Sequence, residues 1–120
     1  RVKRIPFAHI RSDMLKDELD LLIKNYGAKA FNIHTKREFS YPDYYQQYKK
    51  MIYIENVYAS LDEEEVRDFA GICLDISHLE NSRLFVPDLY RHNIKLIEKY
   101  FSIQEITDCG EDFGFVLNKP

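Results

Sequence analysis

Tryptophan is absent from this sequence, and cysteine is scarce, with two among 120 residues. Those two, Cys73 and Cys109, lie in or beside expected strands without a paired spacing. They therefore read as reduced, buried thiols rather than a disulfide scaffold, which suits a cytoplasmic protein. No apolar run approaches the ~20 residues of a membrane span, so no membrane partner is expected. Positive charge is not in excess: 17 Lys and Arg against 20 Asp and Glu leave a net charge of −3. That balance gives no global pull toward nucleic acid. Gly-x-Gly-x-x-Gly, the P-loop, Gly-x-Ser-x-Gly and Cys-x-x-Cys are all missing, which removes the corresponding nucleotide, phosphate, hydrolase and redox chemistries. There is no low-complexity tract, no linker and no leader-like segment. The sequence opens on Arg1 rather than Met, so the natural N-terminus is expected upstream.

What is present is enough for one core. Hydrophobic residues make up 45% and aromatics 14% of the chain, consistent with a single domain over residues 1–120 that needs no cross-links. Apolar runs and helical patterns alternate with a short period. Strands are expected at 5–10, 29–34, 51–57, 71–76 and 101–107. A helix capped by Ser12 or Asp13 runs to Tyr26 and stops at Gly27. Ser40 and Pro42 open a short tyrosine-rich helix over 43–50. Ser60 to Glu63 forms a capping box for a helix to about Phe69. Residues 75–85 read as a long loop, 86–100 as a helix, and 113–117 as one more short apolar run. The pattern is α/β, a parallel (βα) repeat. Five such strands suit an open doubly wound sheet or part of a (βα)8 barrel, which in full needs ~250 residues.

Successive strands end on groups that bind cations: His34, then Glu55, then Asp75 with His78 three residues on. The carboxyl edge of a parallel sheet is where α/β folds bind ligands. Carboxylates with an imidazole suit manganese, magnesium or zinc. Each residue taken singly reads as a loop or helix cap; three in succession on one edge weaken that reading. Lys36 and Arg37, after His34, could meet a substrate phosphate or carboxylate, although a solvated loop is the stronger reading. His9 ends the first strand as a weaker rim candidate, and His92 reads as surface. Glu105 and Asp108 end the fifth strand, either capping a loop or joining the site. Tyr41, Tyr44, Tyr45 and Tyr48 could stack on a ring, but such a helix more often packs against the sheet or a partner chain. Cys73 could pair with His78 as a nucleophile, but inside an apolar strand it reads as inert.

The pattern Ile54-Glu55-Asn56, then Gly71-Ile72-Cys73-Leu74-Asp75-Ile76-Ser77-His78, then Glu105-Ile106-Thr107-Asp108, resembles the xylose-isomerase-like TIM barrels. That superfamily includes sugar-phosphate isomerases and epimerases and the endonuclease IV group. The resemblance spans His9 to Asp108. It implies a partial or compact TIM-barrel-like domain in which Glu55 and Asp75 are metal-binding carboxylates. His78 would be a metal or substrate ligand and His34 a rim ligand. Two departures stand out: Glu105 takes the place of a common histidine, and the family's last-strand glutamate has no counterpart. The implied function is a divalent-metal-dependent sugar or sugar-phosphate isomerase or epimerase, with Glu55 shuttling a proton and His78 assisting. His9, Lys36, Glu105 and Asp108 would contact substrate. An endonuclease IV-like phosphodiester hydrolase is disfavoured by the acidic balance. A non-catalytic barrel fragment that binds a ligand or partner chain, or pairs with a second copy through open sheet edges, is the remaining alternative.

Overall fold

Each apolar run supplies a short strand whose side chains alternate between the two faces of one sheet. A computed structural model describes residues 3–100 and the backbone of residues 106–108 and 115–118. Strands β1 (Phe7–His9), β2 (Ala30–His34), β3 (Ile52–Glu55) and β4 (Gly71–Leu74) pair side by side, all parallel. Helix α1 (Lys16–Tyr26) links β1 to β2, a 3-10 helix (Asp43–Tyr48) links β2 to β3, and α2 (Glu63–Asp68) links β3 to β4. Helices α3 (Ile76–Phe85) and α4 (Pro87–Tyr100) follow, then β5 (Ile106–Asp108) and β6 (Phe115–Asn118).

Among the described residues the parallel repeat stops at four strands. β6 lies antiparallel against β4, and β5 lies antiparallel outside β6, giving the order β1-β2-β3-β4-β6-β5. The strand expected at 101–107 falls partly outside the described residues, and β5 does not take the place beside β4. β1 and β5 each pair on one side only, so the described sheet is open rather than a closed barrel.

Four local expectations change, the first being that Asp62 rather than Ser60 caps α2, accepting from the Glu64 N–H at 3.0 Å. The stretch 75–85 is helical, not a loop: Asp75 caps α3 by accepting from the His78 N–H at 2.9 Å. The tyrosine-rich segment is a 3-10 helix. Neither Ser12 nor Asp13 caps α1; the Leu15 N–H instead donates to Glu18 Oε2. Gly27 does end α1, in the left-handed region at φ 67°, where a Cβ would be strained.

Phe31, Ile33, Ile52, Ile54 and Ile72 point to one side and form the core with Leu19, Val66, Leu96 and Ile97 from the helices. Burying each such side chain contributes about 1.5–3 kcal/mol. The four tyrosines pack inward. The Tyr45 hydroxyl donates to the Arg11 carbonyl, that of Tyr44 to the Met14 carbonyl, and that of Tyr48 to Asp20 at 2.6 Å. The 3-10 helix thereby anchors the loop after β1. No helix among the described residues is long and apolar enough to cross a membrane.

Candidate metal centre

Alternation puts the polar residues of the strands opposite the core. His34 stands beside Glu55 in the β2–β3 register, His9 beside Asn32, and Glu55 beside Cys73. Asp75 follows β4 at the same carboxyl edge. One ligand atom each from His9, His34 and Glu55 lies within 4.8 Å of the other two. The same holds for Glu55, Asp75 and His78. The two trios share Glu55, which is buried at the centre.

Glu55 Oε2 is 3.1 Å from His9 Nδ1 and 4.0 Å from His34 Nε2. It also accepts a hydrogen bond from the Asn32 side-chain amide. The hydrogen bond to Glu55 raises the His9 pKa above its ordinary 6.5, against the opposing effect of burial. His34 turns its other nitrogen, Nδ1, toward Glu38 Oε2 at 3.4 Å. Glu38 Oε2 makes no hydrogen bond at this separation, so the pair is an ion-pair contact rather than a fixed carboxylate–imidazole bond. On the second trio, Asp75 uses one oxygen as the helix cap, with the Ser77 hydroxyl also donating at 2.6 Å. Its other oxygen lies 3.6 Å from His78 Nε2. Burial alone would raise the Asp75 pKa, but the hydrogen bonds from Ser77 and the His78 N–H outweigh it and lower the value.

The donor set fits a divalent cation. Two imidazoles and a carboxylate form a known catalytic zinc set with one position left open. Asn32 Oδ1 is buried with no hydrogen-bond partner beside this trio, although its amide nitrogen contacts both His9 and Glu55. A cavity of about 330 Å³ opens beside His9 and His34, walled by Ile10, Ile33 and Phe39. Tyr58, 63% exposed, sets its ring edge-on to His78 with centroids 4.6 Å apart.

The structure thus gathers His9, His34, Glu55, Asp75 and His78. It does not add Lys36, whose Nζ lies 3.6 Å from Asp62 and which belongs to neither ligand trio. Arg37 likewise turns to Asp62 and Ser60. Glu105 lies outside the described residues, and Asp108 closes β5, two strands away from β4. His92 is exposed as expected, but its Nε2 meets the Leu61 carbonyl at 2.8 Å. Cys73 is a buried, reduced cysteine, and Cys109 lies outside the described residues. Sequence reasoning missed Asn32, Glu38, Asn56, Phe39 and Tyr58. A signal existed for two of them: Asn32 precedes His34 by two and so shares its face, and Glu38 follows it by four.

Comparison with known proteins finds no significant match to a protein family, to a curated protein or to a solved structure.

Proposed function

We propose that this protein is a divalent-metal-dependent enzyme of the sugar or sugar-phosphate isomerase and epimerase kind. One observation carries the proposal: two ligand trios meet at the buried Glu55 on the carboxyl edge of a parallel sheet. His9, His34 and Glu55 would hold the cation, with the Asn32 amide donating to Glu55 and the Glu38 carboxylate lying beside His34. The group supplies, when bound, polarisation of a carbonyl oxygen and neutralisation of the charge that builds up there. Asp75 and His78, which lie outside the lining of the cavity, would move the proton. The carboxylate steadies the imidazole, the side-chain type best suited to act as a base near neutral pH. Glu55, expected from sequence to shuttle the proton, is already engaged by His9 and Asn32 and serves better as ligand. The cavity beside His9 and His34 would take the body of the substrate.

Phosphodiester hydrolysis is the second reading. It is favoured because one carboxylate common to two trios allows a pair of cations, which suits stabilising the attacking and leaving oxygens together. The net charge of −3 disfavours a nucleic-acid partner for it.

Calorimetric titration with manganese, zinc and magnesium tests the shared premise, followed by deuterium exchange into free sugars in heavy water. Binding that disappears in Glu55→Gln, with exchange that disappears in His78→Ala, is expected. No cation uptake at millimolar concentration would sink both readings and leave a ligand-binding module.

A further inference from the structure

Glu65 is an acidic side chain that the proposed chemistry does not use, and it is 3% exposed on the inward side of α2. Its Oε2 accepts from the Lys36 backbone N–H at 3.0 Å and from the Tyr41 hydroxyl at 2.6 Å. Its Oε1 has no hydrogen-bond partner. The nearby cations are engaged elsewhere: Lys36 Nζ and Arg37 Nε both lie by Asp62, at 3.6 and 3.8 Å. A carboxylate buried without a cation costs stability unless hydrogen bonds offset it. An apolar residue would fill the position at lower cost, so the two bonds it makes are the reason to look for a role.

Those two bonds grip the loop after β2 near both of its ends. Between Lys36 and Tyr41 lie Glu38, whose Oε2 sits 3.4 Å from His34 Nδ1 without a hydrogen bond, and Phe39, which walls the cavity and sits 6.4 Å from the same ring. The backbone of the loop is further tied to itself, with the Glu38 N–H donating to the Thr35 carbonyl at 2.9 Å. A shift of this loop therefore moves Glu38 and Phe39 together, and His34 loses its neighbouring carboxylate.

We propose that Glu65 is a positioning residue that clamps the 36–41 loop and so sets the ring orientation of His34 toward Glu55. The proposal rests on the cation-site reading only for its metal readout; the orientation of His34 is measured without metal. Glu65→Gln keeps one oxygen for both donors and removes the formal charge, so it should preserve the clamp. Glu65→Ala releases both bonds, and Tyr41→Phe releases one, which keeps the test open if the alanine variant fails to fold.

The experiment uses ring-nitrogen NMR of histidine-labelled protein, first metal-free and then titrated with zinc. In Glu65→Ala and, more weakly, Tyr41→Phe, the His34 resonances should move while those of His78 stay. Amide exchange at Lys36 should accelerate in the alanine variant. The zinc concentration that saturates the His34 response should rise about 10-fold or more in Glu65→Ala, while Glu65→Gln keeps the wild-type value. Leu96→Ala, a core variant away from the loop, serves as the control for general destabilisation. The proposal is overturned if His34 is unmoved in both clamp variants, or if Leu96→Ala moves it equally. If the wild type takes up no zinc, the cation reading fails separately and the metal-free His34 shift alone decides the clamp.

Discussion

Asn56 shows how much a single buried amide can hold. It is 1% exposed at the end of β3, its Nδ2 donating to the Asp75 carbonyl at 2.9 Å and its Oδ1 accepting from the Asp75 N–H at 2.7 Å. This reciprocal pair takes over where the β3–β4 ladder ends and keeps Glu55 and Asp75 on one rim. Removing it leaves a donor and an acceptor of the Asp75 backbone unsatisfied, each at about 1–3 kcal/mol. Asn56→Ala should therefore lose at least about 2 kcal/mol in urea melts. Asn56→Asp should also be destabilising, because its second oxygen would face a carbonyl. A neutral result for the alanine variant would mean that water replaces both bonds and that the amide does not set the rim.

At the scale of the element, Asp75 does two jobs that substitution can separate. As the cap of α3 it needs only an acceptor oxygen, which asparagine also has. As a member of the Glu55–Asp75–His78 trio it needs charge. Asp75→Asn is expected to melt within a few degrees of wild type while weakening cation uptake. Asp75→Ala should add a loss of about 1 kcal/mol from the missing cap. If asparagine and alanine lower stability equally, the charge rather than the cap supports α3. α3 is not legible in the sequence because its apolar residues do not form one stripe; Ile76, Leu84 and the adjoining Phe85 are all more than half exposed. With no stripe to detect, only the cap marks the helix start, and a carboxylate at a strand end reads equally well as a ligand.

The whole molecule carries titrating groups with opposed signs. Burial raises the Asp62 pKa, but the backbone N–H groups of Glu64 and Glu65 lower it further, and Asp75 is lowered as well. Depressed carboxylates contribute stability above their ordinary 3.8, and it is lost as pH falls through the folded values. His9 is raised, so its contribution is fully present below 6.5 and is lost as pH climbs through its folded value. Metal-free protein should accordingly be most stable between about pH 5 and 6.5, falling away on both sides. His9→Gln should flatten the alkaline limb and spare the acid one. Stability that rises steadily to about pH 9 in chelator would contradict the His9–Glu55 pairing.

The alternation of apolar runs with helical patterns was enough to establish an α/β chain with parallel strands, because burial on both faces and amphipathic spacing are properties of local sequence. The same local rules placed His34, Glu55 and Asp75 at strand ends, since a charged side chain closing an apolar run must leave the core. Tertiary structure alone decided the rest. The antiparallel turn of β6 against β4 depends on pairing distant segments, Gly71 with Asn118 and Leu74 with Phe115, which no local pattern encodes. The sharing of Glu55 by two trios depends on strand register, for a slip of one residue would send its carboxylate to the core side. The roles of Asn32, Asn56 and Glu65 follow from burial, and amides or carboxylates give no sign of it in sequence, because the cost of burying them is offset only by partners that folding brings near.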